Sequence, residues 1–195
     1  MTTTQLPRRD SKVDQRRPAP EVHFNAPMLR GVPREPAADM GTLADRIRRL
    51  MTLSTGQQLT LPLGGQYFDI VVTASGSAAS GVVRLMDEIQ RSPGDAPDAC
   101  GPVIEDPQRG WLIWLVPPGT SDRWVPHRFA MCLGGPHQLA LPPLDRTEPP
   151  GPYWLRRCRS DRLVPSGPLR DHLNQFQPGP VPHETLLSSV LSDIS

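Results

Sequence analysis

Lysine is nearly missing from this 195-residue chain. Lys12 is the only one, and the other 20 of its 21 basic residues are arginines. Against 20 acidic residues this leaves a formal net charge of +1, which excludes a global basic field able to hold nucleic acid along a track. Cysteine is sparse too. Cys100, Cys132 and Cys158 are odd in number, widely spaced and without a CxxC pair, which argues against a disulfide framework and suits a reducing cytoplasm. No apolar run approaches the roughly 20 residues that span a bilayer. The N-terminus, MTTTQLPRRD, lacks the apolar core of a signal peptide. The expectation is a cytoplasmic protein that does not enter membranes.

Proline, by contrast, is abundant at 25 residues, and glycine adds 16, while the hydrophobic fraction is only 37%. Such a chain cannot be helical or sheet-like throughout, so part of it is loop, linker or disorder. Residues 1–40 are polar and proline-rich with no apolar periodicity, and they read as a disordered Pro/Arg-rich arm. Residues 41–176 hold the apolar patterning of one domain. Residues 177–195 read as a linker and a short C-terminal helix.

Within the domain, Leu43, Ile47, Leu50 and Met51 recur at helical spacing. Leu59, Leu61 and Leu63 alternate with polar residues and Pro62, as in an edge strand. A Gly64-Gly65 turn leads into QYFDIVVT, read as a central strand, and ASGSAASGVVRLMDEIQRS follows as a helix with Ala79, Val82, Val83, Leu85, Met86 and Ile89 on its apolar side. A strand running directly into a helix is the first half of a βαβ unit. PVIED and WLIWLVPPG, joined by PQRG, make a hairpin whose second strand is apolar on both faces. Two short strands flank Gly134-Gly135, PPGPYWLRRC supplies another extended piece, and SGPLRDHLNQF forms a helix through Leu169, Leu173 and Phe176. The order predicts an α+β domain with a mixed, mostly antiparallel sheet and a few flanking helices.

The sequence of FDIVV plus helix, then GPVIED…GWLIWLVPPGT, then LGGPHQLALPP and the closing PPGPYWL, resembles a known family. From about Gly64 to Trp154 the chain resembles the N-terminal primase-polymerase (PrimPol) domain of the archaeo-eukaryotic primase type. More narrowly, it is similar to small actinobacterial proteins that carry a shortened, diverged copy of that domain. The resemblance implies two carboxylates spaced Asp-x-Asp on one strand, holding divalent metal beside a nucleoside triphosphate. It also implies a phosphate-binding histidine on a later strand and a third carboxylate.

Asp69 matches the first carboxylate, but Val71 and Thr73 stand where the next same-face positions fall. The later strand reads Arg109-Gly110-Trp111, with tryptophan in the place of the histidine, and HRFAMCLGG contains no acid. One aspartate cannot supply the oxygen donors a hard divalent cation requires. The expectation is therefore a retained fold and a degenerate active site, with no metal, no cofactor and only Asp69 as a weak catalytic candidate.

Other chemistry is thin. His127, Cys132 and His137 offer zinc-type donors but lack a fourth ligand and a standard spacing. TASGSAASG is neither a nucleophile elbow nor a phosphate loop. Glu105 and Asp106 are adjacent, and neighbours on a strand face opposite ways. Two basic groups remain as binding candidates: Arg123, Trp124 and Arg128 in SDRWVPHR, where arginine and aromatic could stack bases and grip phosphate, and Arg156, Arg157 and Arg159 in WLRRCRSDR. The partner implied is nucleic acid, nucleotide or an acidic protein. The functional expectation is a non-catalytic PrimPol-like binding or regulatory protein. The alternatives are a nucleotidyltransferase with a site rebuilt on Asp69, Glu105 or Asp106, and a protein-interaction domain unrelated to nucleic acid.

Overall fold

A computed structural model of the chain describes residues 40–54, 56–94, 99–158 and 162–180. The expected N-terminal arm, Arg159 and the C-terminal helix lie outside the described residues. The elements run α1 (Met40–Leu53), β1 (Leu59–Pro62), β2 (Asp69–Ala74), α2 (Ser77–Gln90), β3 (Val103–Asp106), β4 (Trp111–Val116), a 3-10 turn (Ser121–Arg123), β5 (Met131–Leu133), β6 (Gln138–Leu141), β7 (Tyr153–Arg156) and α3 (Ser166–Phe176). The fold is α+β. Five strands form one sheet in the order β5-β2-β4-β3-β7, and β1 with β6 forms a second, two-stranded sheet. Every pairing in both is antiparallel.

The expected βα unit closes in a particular way. Both β2 and β3 pair antiparallel with β4, so they run parallel to each other with β4 between them. The β2-α2-β3 passage is thus a split βαβ unit, with the β3-β4 hairpin inserting the middle strand. This explains WLIWLV. As the central strand, β4 buries all six residues, and alternation sends Trp111, Ile113 and Leu115 to one face and Leu112, Trp114 and Val116 to the other. The first face packs against α1 and the β1-β6 ribbon through Leu43, Ile47, Met51, Leu61, Leu139 and Leu141. The second packs against α2 and α3 through Ala79, Val82, Val83, Met86, Leu169 and Leu173.

Two details depart from the sequence pattern. The strands on either side of Gly134-Gly135 belong to different sheets, since β5 pairs with β2 and β6 with β1. On α2, Ile89 is 60% exposed and Asp87 turns inward instead. The backbone N–H of Cys100 and the guanidinium of Arg156 both donate to the Asp87 carboxylate, which makes its burial tolerable. Among the described residues, no helix is long and apolar enough to cross a membrane.

Candidate functional site

Asp69 opens β2 and is fully buried. Its Oδ2 accepts a hydrogen bond of 2.7 Å from the backbone N–H of Ser121, at the start of the 3-10 turn. Its Oδ1 is buried without a hydrogen-bond partner. Two glycine turns close around that oxygen. A Cβ on Gly134 would lie 3.0 Å from Asp69 Oδ1 and 2.2 Å from Ser121 Oγ, and one on Gly64 would lie 3.2 Å from the Gly135 nitrogen. Gly134 is therefore required by close approach, and Gly64 by its φ of +75° together with the nearness of the Gly135 nitrogen. Asp69 joins the turn before β2 to the 3-10 turn and to the β5-β6 turn.

The same face of β2 continues with Val71 and Thr73. Val71 is buried against α2 and α3, and Thr73 Oγ1 accepts the indole N–H of Trp114 at 3.0 Å. Neither position supplies a carboxylate. No group of three or more His, Cys, Asp or Glu side chains that could hold a metal occurs among the described residues. The residues present do not fit the divalent-metal pair that the family resemblance implies.

Glu105 and Asp106 stand at the far end of β4. Asp69 pairs with Val116, whereas Asp106 pairs with Trp111, five residues along the strand and ~17 Å away at about 3.4 Å per residue. Both acids are already engaged. Glu105 accepts from Ser75 Oγ and from the Tyr153 hydroxyl, each at 2.5 Å, and this bond is the main reason that the Tyr153 phenol is raised to about 12. Asp106 accepts the backbone N–H groups of Gln108 and Arg109 and the Arg109 guanidinium at 2.6 Å, which sets the hairpin turn.

The zinc-type donors are not drawn together either. His127 Nδ1 accepts the Phe129 N–H, so Nε2 carries the proton and donates to Asn174 Oδ1 at 2.9 Å. Burial, helped by Asp69 and Asp122, raises the Cys132 thiol to about 12 and keeps it from being a ready thiolate.

The two arginine groups flank opposite edges of the five-stranded sheet, since β5 and β7 are its outer strands. On the β7 side, the Nε of Arg156 lies 2.9 Å and one terminal nitrogen 2.8 Å from Asp87 Oδ2. Arg157 reaches only Thr147 Oγ1, at 3.4 Å. On the β5 side, Arg123 and Trp124 share a cleft of about 190 Å³ with Thr120, Val125, Ser166, Gly167 and Arg170. The Arg170 guanidinium lies over the Trp124 ring at 5.2 Å and donates to the carbonyls of Val125 at 2.6 Å and Pro126 at 3.4 Å. Arg128 turns to Phe129, 5.5 Å from its ring centre.

Arg170 and the start of α3 were not legible as site residues. Leu169 and Leu173 marked the helix, but Arg170 lies 46 positions from Trp124, and only folding brings them together. The one local signal is the uncapped Pro-Ser-Gly-Pro start of α3, which has no side-chain cap hydrogen bond. No family model, curated protein or solved structure matches the chain.

Proposed function

We propose that the chain is a non-catalytic, PrimPol-like binding or regulatory protein in which the remnant carboxylate serves the fold. The observation that carries this reading is Asp69: a fully buried acid whose Oδ2 holds the Ser121 amide and whose strand neighbours on the same face are Val71 and Thr73. A divalent ion such as Mg²⁺ needs near-octahedral oxygen coordination. A single oxygen enclosed by glycine backbones does not supply it. The rebuilt-site alternative needs Asp69 to meet Glu105 or Asp106, and these stand at opposite ends of β4.

The test is thermal unfolding of the full chain with Mn²⁺ and each nucleoside triphosphate. The expected result is no stabilisation that requires both metal and Asp69. Asp69→Ala lowers the midpoint with or without additives, because the Ser121 amide loses its acceptor. Saturable, Mn²⁺-dependent stabilisation by a nucleotide that vanishes in Asp69→Asn would overturn the reading.

A further inference from the structure

We infer that the cleft between the 120–125 loop and the start of α3 binds a single phosphate monoester, held by Arg123, Arg170 and the backbone amides of Ser166 and Gly167. The inference rests on the reading of the chain as a binding module and names what it binds.

Four observations converge on this cleft. Its lining contains two guanidiniums and no carboxylate. The ion pairs of the described residues leave both arginines without an acidic partner, so their charge is uncompensated. Arg170 is also preorganised. Its contacts with Trp124, Val125 and Pro126 fix the guanidinium plane while using two of its five N–H donors. The start of α3 adds the third element. Proline stands at its N-cap and again at Pro168, and no side chain caps it, so the amides of Ser166 and Gly167 are the donors left over at the positive end of an 11-residue helix. Finally, the Trp124 indole nitrogen, in the same lining, is buried and has no hydrogen-bond partner. A buried N–H left without an acceptor is unfavourable.

Size and charge select the ligand class. At about 30 Å³ per water, 190 Å³ has room for roughly six waters. That suits an end group and falls short of the roughly 300 Å³ at which whole-ligand pockets begin. Two cations match a monoester, which carries about −1.5 to −2 at neutral pH, better than the single charge of a phosphodiester. The same surroundings disfavour a nucleic-acid track. One face of Trp124 lies under Arg170, Arg128 points to Phe129, and Arg156 is paired with Asp87 on the other sheet edge. Among the described residues around this cleft, neither a stacking platform nor a continuous row of free cations is left. Val125, 63% exposed at the rim, offers apolar contact to whatever carries the phosphate.

Calorimetric titration of the full chain tests this, with inorganic phosphate, phosphoserine, a nucleoside 5′-monophosphate and an oligonucleotide lacking a terminal phosphate. Chloride at matched ionic strength is the reference. Saturable binding of inorganic phosphate and of at least one monoester is expected, and the two monoester arms tell a phosphorylated side chain from a nucleotide as the source. Arg123→Ala should weaken binding about tenfold, with Arg123→Lys between, while the unliganded unfolding midpoint stays unchanged. Phosphate no better than chloride, undiminished binding in Arg123→Ala, or an oligonucleotide without terminal phosphate binding as tightly as the monoesters would each overturn the proposal. Metal-dependent nucleotide binding that requires Asp69 would instead defeat the non-catalytic reading and leave the Arg123-dependent site standing.

Discussion

Arg156 and Arg170 are the same residue type at opposite edges of one sheet, and they illustrate two uses of a guanidinium. Arg156, on β7, reaches across to α2 and closes on Asp87, whose side chain is only 6% exposed. Arg170, on α3, meets two carbonyls and an indole ring and is left with its charge unpaired. The difference lies in the partner and is invisible in the composition. A buried carboxylate converts the first arginine into part of the framework. The second is positioned by the loop but not neutralised by it, and that is what a recognition site for an anion requires.

The largest effect should come from breaking the neutralised pair. Arg156→Ala strands Asp87 in a nearly dry setting with only the Cys100 amide to satisfy it, and should cost about 2 kcal/mol. The buried-pair range extends higher, but the Arg156 side chain is 30% exposed and water screens part of the interaction. Asp87→Ala removes both the ion pair and the acceptor of the Cys100 amide, and should cost about 3 kcal/mol. Urea unfolding of the two single variants and the double variant gives a coupling energy, expected at about 1 kcal/mol or more. A coupling near zero would erase the distinction between the two arginines.

Arg170→Ala should be milder, about 1 kcal/mol, because its carbonyl bonds are exposed and its stacking on Trp124 is a modest term. Arg123→Ala should stay within about 0.5 kcal/mol of the wild type, as expected for an exposed side chain with no framework role. These ranks separate stability from binding: the variants that least disturb unfolding are the ones expected to weaken phosphate binding. If Arg123→Ala proved as destabilising as Arg156→Ala, the cleft arginine would be structural and the contrast would fail.

What the sequence made legible follows the same physical division. Local periodicity named the elements, because apolar stripes and alternation are written in consecutive residues: Leu43, Ile47 and Met51 on α1, and the unbroken apolar run of β4. Asp69 was singled out by its place in FDIVVT, and its lone state was readable from Val71 and Thr73. Its acceptor role for Ser121 was not readable, since the two lie 52 positions apart. Gly134-Gly135 carried part of the family resemblance, yet the requirement for Gly134 here is the approach of its turn to Asp69 and Ser121. The partners of Arg156 and Arg170 were equally hidden, because each is contributed by a segment distant in sequence. Long-range pairing, rather than residue type, decides which charge is structural.

The smallest expected effect is also the most local probe of the unpaired charge. His127 sits beside α3, where Asn174 accepts its Nε2 proton and Arg170 stands nearby, while Trp124, Arg128 and Phe129 surround it on its own loop. Burial depresses its pKa below 6.5, the hydrogen bond to Asn174 partly restores it, and the charge of Arg170 lowers it further. The folded pKa is thus below the unfolded one, so under pH 6.5 the unfolded chain takes up a proton that the folded chain resists. This contribution to stability is intact above pH 6.5 and is lost as pH falls through the folded pKa. Protonation would also put a proton on Nδ1, which now accepts the Phe129 amide. Nuclear magnetic resonance titration of the His127 ring should show its pKa rising toward 6.5 in Arg170→Ala and unchanged in Arg156→Ala, whose charge is spent on Asp87 at the other sheet edge. An unmoved His127 in Arg170→Ala would mean that the Arg170 charge is already neutralised, removing the ground on which the two arginines are told apart.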